Sequence, residues 1–424
     1  MSVLLALLKG ITMKGPFETR TREEVLRIVA AFRDVGTEVV ASAKASGRVL
    51  SADVKSPCDS PHFDRAMMDG FAVRAEDVSG ASAESPVMLR VVGHVDMGRP
   101  AECTVEQGAV AELGTGAAVP EGADAVVMLE YTDRLSNDTI AVTRPVARRE
   151  NVMRMGADFR EGELMFQAGK RLAPKDIAAL VSVGIGMVEV FRRPTVAIIP
   201  TGDELVPPQK EPATGQIRET NSAVLAALIE RDGGIAVAMK IVRDDPEKLK
   251  AAIDQGMDSA DMVLVSGGSS VGTRDMTLAA LESFENSEIL VHGIATRPGK
   301  PTIVARIEEK PIVGLPGHPV SSLVSYEVVV RSLLDRLSGV SGRIVQARSG
   351  STVRARLKRK LPALIGRDEY VRVRFERTEN ELVAVPVGRS SGATSTLAAA
   401  DGWILVEMNT EGLEAGEEVE VTLF

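Results

Sequence analysis

Between residues 194 and 339 the chain repeats one pattern: a short apolar run empties into a small polar loop, and a helix-like segment follows. Residues 193–200 form the first such run, ending in Thr201-Gly-Asp-Glu-Leu205. A helical pattern from Asn221 leads to a second strand over 235–242, which ends in Arg243-Asp-Asp-Pro246. After another helix, the strand 261–266 opens into Gly267-Gly-Ser-Ser-Val-Gly272, with Asp275 just behind it. Arg297-Pro-Gly-Lys-Pro301 follows, and the strand 311–314 ends in Leu315-Pro-Gly-His-Pro319. Continuous Val/Ile/Leu strands alternating with helices predict a parallel sheet covered on both faces. Such sheets bind ligands outside the carboxyl ends of their strands, so the pattern gathers all five loops around one crevice.

The loops carry a readable chemistry. Glycines in the 267–272 turn let the backbone present its N–H groups to an anion, most often a phosphate, at a helix N-terminus. Arg297 and Lys300 add positive charge, one as a planar fork and one as a point. Opposite them stand Glu204, Asp244 or Asp245, and Asp275, each from a different strand end. Carboxylates repel a phosphate unless a hard cation lies between, and Mg²⁺ held by carboxylates and phosphate oxygens is the usual solution. Taken singly, an acid after a strand caps the next helix and a glycine turns the chain. Five such loops on one sheet favour a ligand site.

At 424 residues the chain exceeds one core and calls for several domains. A net charge of −9 speaks against a nucleic-acid partner. Cys58 and Cys103 stand alone, without the spacing of a zinc site, as suits a reducing cytoplasm. The apolar run in Met1-Ser-Val-Leu-Leu-Ala-Leu-Leu-Lys9 is too short for a signal peptide and lacks a basic lead. It reads as a loose or dimer-associated segment. No stretch is long enough to span a bilayer.

Thr21 with Glu24 predicts a capping-box helix start. From 56 to 149, short β-like runs (87–94, 109–112, 125–129, 139–142) lie between Gly, Pro and Asp turns, as in a small β module inserted into a connector. Residues 173–182 read as a Pro-started helix. The last eighty residues alternate strictly, which predicts a small antiparallel sheet or barrel. The resulting division is 17–55 helix and connector, 56–149 inserted β module, 150–192 connector, 193–342 central α/β domain and 343–424 C-terminal β domain.

Thr201-Gly-Asp-Glu-Leu205, Ser266-Gly-Gly-Ser-Ser-Val-Gly272, Arg297-Pro-Gly-Lys-Pro301 and Gly314-Leu-Pro-Gly-His-Pro-Val-Ser321 resemble the molybdopterin-binding domain of the molybdopterin molybdenumtransferases. These are bacterial enzymes related to the gephyrin E domain. The resemblance runs on through Phe63-Asp-Arg-Ala-Met-Met-Asp-Gly-Phe-Ala-Val73, Thr115-Gly116, Pro120-Glu-Gly-Ala-Asp-Ala-Val-Val127 and Gly156-Ala-Asp158. It implies a multidomain α/β fold: a doubly wound central domain, an inserted β module, a connector, and a C-terminal antiparallel β-barrel-like domain. The implied activity is Mg²⁺-dependent insertion of molybdate into adenylylated molybdopterin, with release of AMP.

By the same resemblance Asp69, Thr115 and Asp158 join Glu204, Asp244 and Asp275 as catalytic residues, the last three holding Mg²⁺. Ser266, Gly267, Gly268, Ser269, Ser270 and Gly272 would cradle a phosphate. Arg297 and Lys300, with Pro316, Gly317, His318 and Pro319, would take the molybdate. The chain departs from the family at Arg65-Ala66 (usually Asn-Ser), Phe71 (Tyr), Gly114 (Met) and His318 (often Asn). The family works as a homodimer in which the β module of one subunit completes the cleft of the other. A molybdopterin adenylyltransferase and molybdoenzymes are its protein partners. Two other functions stay open: a molybdopterin adenylyltransferase, which lacks the insertion and the C-terminal domain present here, and a non-catalytic gephyrin-like scaffold.

Overall fold

The computed structural model describes residues 19–268, 276–340, 352–379, 381–388 and 390–424. The expectations for the first eighteen residues therefore lie outside the described part. The central sheet has six strands: β1 Thr195–Pro200, β2 Ile235–Ala238, β3 Met262–Ser266, β4 Ser287–His292, β5 Ile303–Ile307 and β6 Lys310–Leu315. Their order across the sheet is β2-β1-β3-β6-β5-β4. The first four run parallel, but β5 is antiparallel to both neighbours. The expected wholly parallel sheet is thus a mixed one. The cause is local: only Glu308 and Glu309 join β5 to β6, and so short a link makes a hairpin rather than a crossover. β2 also stops at Ala238, short of 242, and Val242 keeps a single bridge to Thr201.

Alternate residues of each strand bury into opposite faces. Val196, Ile198, Leu264 and Val313 pack under the helix Asn221–Arg231 through Leu225 and Ile229. Ala197, Ile199, Val263 and Val265 pack under the helix Pro246–Ser259 through Leu249 and Ile253. The N-terminal helix Arg22–Val29 has the expected capping box, and its Val25 and Val29 join the first of these cores.

The β module is a six-stranded sheet that contains all four expected runs. It adds Gly70–Val73 and Thr132–Arg134, which the sequence pattern did not mark as strands. In the connector, Thr37–Ala41 pairs with Met187–Phe191, and Pro174–Ser182 is the Pro-started helix.

The C-terminal strands Thr352–Leu357, Asp368–Arg377, Leu382–Pro386, Gly402–Val406 and Glu418–Leu423 close into a five-stranded barrel. One pairing, Thr352–Leu357 with Leu382–Pro386, is parallel, so the antiparallel expectation holds for the other four contacts. A two-residue strand of the central domain, Thr296–Arg297, lies parallel to Asp368–Glu369 of this barrel. No described helix is long and apolar enough to cross a membrane.

Gly70 tests the β module. A Cβ there would stand 1.9 Å from the carbonyl oxygen of Val127 on the neighbouring strand. Gly70→Ala should therefore cost about 1–3 kcal/mol through overpacking. Thermal unfolding will read this as a lowered midpoint, and an unchanged midpoint would contradict the close approach.

Candidate active site

The carboxyl ends of β1, β3 and β6 open into a cleft of about 750 Å³. It sits where the chain, having placed β2 on one side of β1, places β3 on the other. That switch point is where an open α/β sheet binds ligands.

Three loops meet there at contact distance. Gly267 has φ +110°, and a Cβ on it would stand 2.2 Å from the Thr201 carbonyl oxygen. Thr201 N–H donates to Ser266 O at 2.9 Å, and Gly267 N–H donates to Leu315 O at 3.1 Å. The Asn221 amide then donates to Ser266 Oγ and to Gly317 O, both at 2.9 Å. Asn221, Glu219 and Ser321 line the cleft, and sequence reasoning did not name them as site residues. The only signal for Asn221 was its position at a helix start.

Of the expected residues, Glu204, Asp244, Ser266, Gly267, Gly268, Pro316, Gly317, His318 and Pro319 line this cleft. Ser269, Ser270, Gly272 and Asp275 lie outside the described residues. The Glu204 carboxylate folds back over Gly202, where a Cβ would come within 2.6 Å of it. Asp245 is a helix cap: its side chain accepts from the backbone N–H of Glu247 and Lys248 at 3.1 and 3.3 Å. Contacts with Lys248 hold its carboxyl below the usual range. Asp203 pairs with Arg243 at 3.5 Å. That leaves Glu204 and Asp244 without an ion-pair partner among the described residues. Hard oxygen donors uncommitted to a cation fit Mg²⁺. No cluster of three metal-ligating side chains forms among the described residues.

The Arg297–Pro301 loop only partly joins the cleft, through Pro301. Arg297 lines a separate cavity of about 30 Å³ and pairs with Glu369 at 3.4 Å. The strand pairing of Thr296–Arg297 with the barrel carries it there. Lys300 is exposed and does not line the cleft. The same small cavity holds Arg372, 5 % exposed, which donates to Gly388 O and, at 3.1 Å, to Ser390 O. Burial pushes its guanidinium below its usual range. His318 Nδ1 lies 3.4 Å from Ser391 Oγ, so the central cleft touches the C-terminal domain.

Asp69 and Thr115 meet directly. Thr115 donates to Asp69 Oδ1 from its backbone N–H at 2.6 Å and from its hydroxyl at 2.8 Å. Asp158 is exposed on a turn whose backbone N–H donates to Ser60 O at 2.9 Å. None of these three lines the cleft of its own chain.

Comparison with known proteins covers the chain in three matches. The family model of the MoeA N-terminal region (domain I and II) matches residues 20–184. The model described as "Probable molybdopterin binding domain" matches 197–336, and that of the MoeA C-terminal region (domain IV) matches 354–424. A molybdopterin molybdenumtransferase of Bacillus subtilis is 32 % identical over 407 residues, 95 % of this chain and 93 % of that one. One from Nostoc is 38 % identical over 308 residues, 72 % and 70 % of the two chains. The crystal structure of a molybdopterin biosynthesis MoeA protein from Pyrococcus horikoshii matches with a TM-score of 0.82 at 31 % identity, covering 96 % of this chain and 100 % of that one. An open α/β sheet with a switch-point cleft, a β module and a β-barrel make up a multidomain α/β protein, the architecture of these relatives. The chain belongs to the MoeA family of molybdopterin molybdenumtransferases, enzymes of molybdenum cofactor biosynthesis.

The Thr115 backbone donor, then its hydroxyl, lowers the pKa of Asp69 from its ordinary 3.8. A depressed carboxyl adds stability above its unfolded pKa and loses it as pH falls through the folded value. Thr115→Val removes only the hydroxyl, so the Asp69 pKa should rise yet stay below 3.8. A carboxyl ¹³C titration reads this, and a value at or above the ordinary one would deny the backbone its leading part.

Proposed function

We propose that this chain inserts molybdate into adenylylated molybdopterin with release of AMP. Two uncommitted carboxylates from separate strand ends, facing one cleft beside a glycine turn, are the observation that carries this reading. The glycine turn that follows Ser266, beginning with the Gly268 N–H, takes a phosphate of the substrate's pyrophosphate. Glu204 and Asp244, with Asp275, would hold Mg²⁺, which neutralises pyrophosphate charge. Asn221 holds the two flanking loops at fixed separation, so the pyrophosphate is positioned rather than gripped by moving parts. Phosphoryl chemistry of this kind depends chiefly on positioning and charge neutralisation. Molybdate, a tetrahedral dianion, takes its place at the Pro316–Pro319 loop, toward the small cavity that Arg297 and Arg372 line, with Lys300 on the same loop as Arg297. His318 stands at the meeting point with the C-terminal loop.

Asp69 and Thr115, with Asp158, serve the cleft of a second copy in a two-fold dimer, since they do not line their own. Two half-buried free cysteines suit work in a reducing cytoplasm. A molybdopterin adenylyltransferase as supplier and molybdoenzymes as recipients are the partners implied. The domain division drawn from the sequence goes with this reading. AMP release that requires molybdate and no ATP tests it: a need for ATP would point to the adenylyltransferase, and no turnover to a scaffold.

Glu204→Gln or Asp244→Asn should fold normally and lower AMP release about a hundredfold or more, the loss of several kcal/mol of charge stabilisation. Near-normal release from either variant would refute the carboxylate assignment.

The dimer is tested by mixing. Asp69→Ala and Glu204→Ala homodimers should each be inactive. Unfolded and refolded together, they should recover about a quarter of the intact clefts, because in a mixed dimer one cleft collects both lesions and the other none. Mixed dimers without recovery would place both residues in one subunit's cleft.

A further inference from the structure

Glu219 follows the strand Ile217–Arg218, which pairs with Leu205–Val206 directly after Glu204. Its backbone N–H donates to Val206 O at 2.9 Å, and Ile217 N–H donates to Glu204 O at 2.8 Å. The residue is only 8 % exposed. One carboxylate oxygen accepts the Ser222 backbone N–H at 2.8 Å, at the start of the helix Asn221–Arg231. The helix N-terminus stabilises the negative charge there. Among the described residues no cation pairs with this carboxylate. A carboxylate offers about four acceptor sites. Capping uses one of them.

Glu219 also stands between two cavities. On one side is the catalytic cleft; on the other is a second cavity of about 510 Å³, and Leu205 and Glu219 line both. The walls of the second cavity include Val206, Met239 and Ile241 together with the cations Lys210, Lys240 and Arg243. Ser222 lines it too, and its hydroxyl is buried with no partner among the described residues.

Because Glu219 lines both cavities, the acceptor positions that capping leaves over are open to a ligand's donors. We propose that Glu219 binds the amino edge of a pterin, so that the pterin end of the substrate occupies this second cavity. This rests on the reading of the activity given above. In a pterin the 2-amino group and the adjacent ring N–H form a two-pronged donor, which meets a carboxylate as a guanidinium does. Adenine has no such edge, because its amino group lies beside acceptor nitrogens. The carboxylate therefore distinguishes the two ends of the substrate. The apolar part of the wall suits the face of a bicyclic ring, and the placed polar groups set its orientation. The pyrophosphate then crosses the Leu205–Glu219 wall and reaches Glu204 and Asp244.

The test compares neopterin with the lumazine of matching side chain, in which a carbonyl replaces the 2-amino group. Both are titrated against the full-length protein and followed by ring fluorescence. Wild type should prefer neopterin by about tenfold or more, because the lumazine carbonyl turns a donor into an acceptor facing a carboxylate. Glu219→Gln should lose this preference, since an amide can face either edge, while AMP affinity and melting temperature stay as in wild type. The wild-type comparison needs no variant, so a folding defect cannot hide the answer. Equal binding of the two ligands by wild type, no neopterin binding, or a preference that survives in Glu219→Gln would each overturn the assignment. Turnover plays no part in this measurement, so its failure leaves the AMP-release experiment to judge the activity independently.

Discussion

The cleft exists because three strand-end loops meet without side chains between them. A Cβ on Gly267 would collide with the Thr201 carbonyl. Once that contact is made, the Asn221 amide ties the Ser266 turn to Gly317. The floor is thus fixed by backbone groups and one buried amide. This matters for the acids above it. Glu204 and Asp244 need not hold the loops together, so they stay free for a ligand, whereas Asp203 and Asp245 are committed to Arg243 and to a helix end.

Much of this was legible in the sequence, because strands buried on both faces write themselves as apolar runs and loops as glycines and acids. The capping box at Thr21 and Glu24, the two long helices of the central domain and the alternating C-terminal strands follow local rules. What escaped depends on distant or fine geometry. Asp244 and Asp245 follow the same strand, and which one caps the helix is decided by backbone angles at that turn. Gly70–Val73 begins with a residue that reads as a turn, yet its glycine is there because a neighbouring strand passes too close for a side chain. Arg297 sits at a strand end as its motif suggests. A pairing with residues some seventy positions later carries its guanidinium to the barrel instead of the cleft.

The two halves of the expected constellation are built differently. Asp69 and Thr115 are bound to each other on the surface of the β module, in a turn made rigid by two hydrogen bonds. The central acids stand over a deep floor. One half is a compact exposed feature and the other a concave one, as the proposed two-fold dimer requires of parts that meet across its boundary.

The two-residue strand Thr296–Arg297 has a mechanical consequence. The loop it begins is held again at its far end, where Thr302 Oγ donates to Gly299 O at 2.6 Å and contacts Ser325 Oγ at 2.7 Å. A segment anchored to the barrel at one end and to the central domain at the other has little slack. An anion bound as proposed beside this loop would couple the positions of its cations to the angle between the two bodies. Affinity for the anion and the relative angle of the two bodies become conjugate quantities, and whatever biases one biases the other to the same extent.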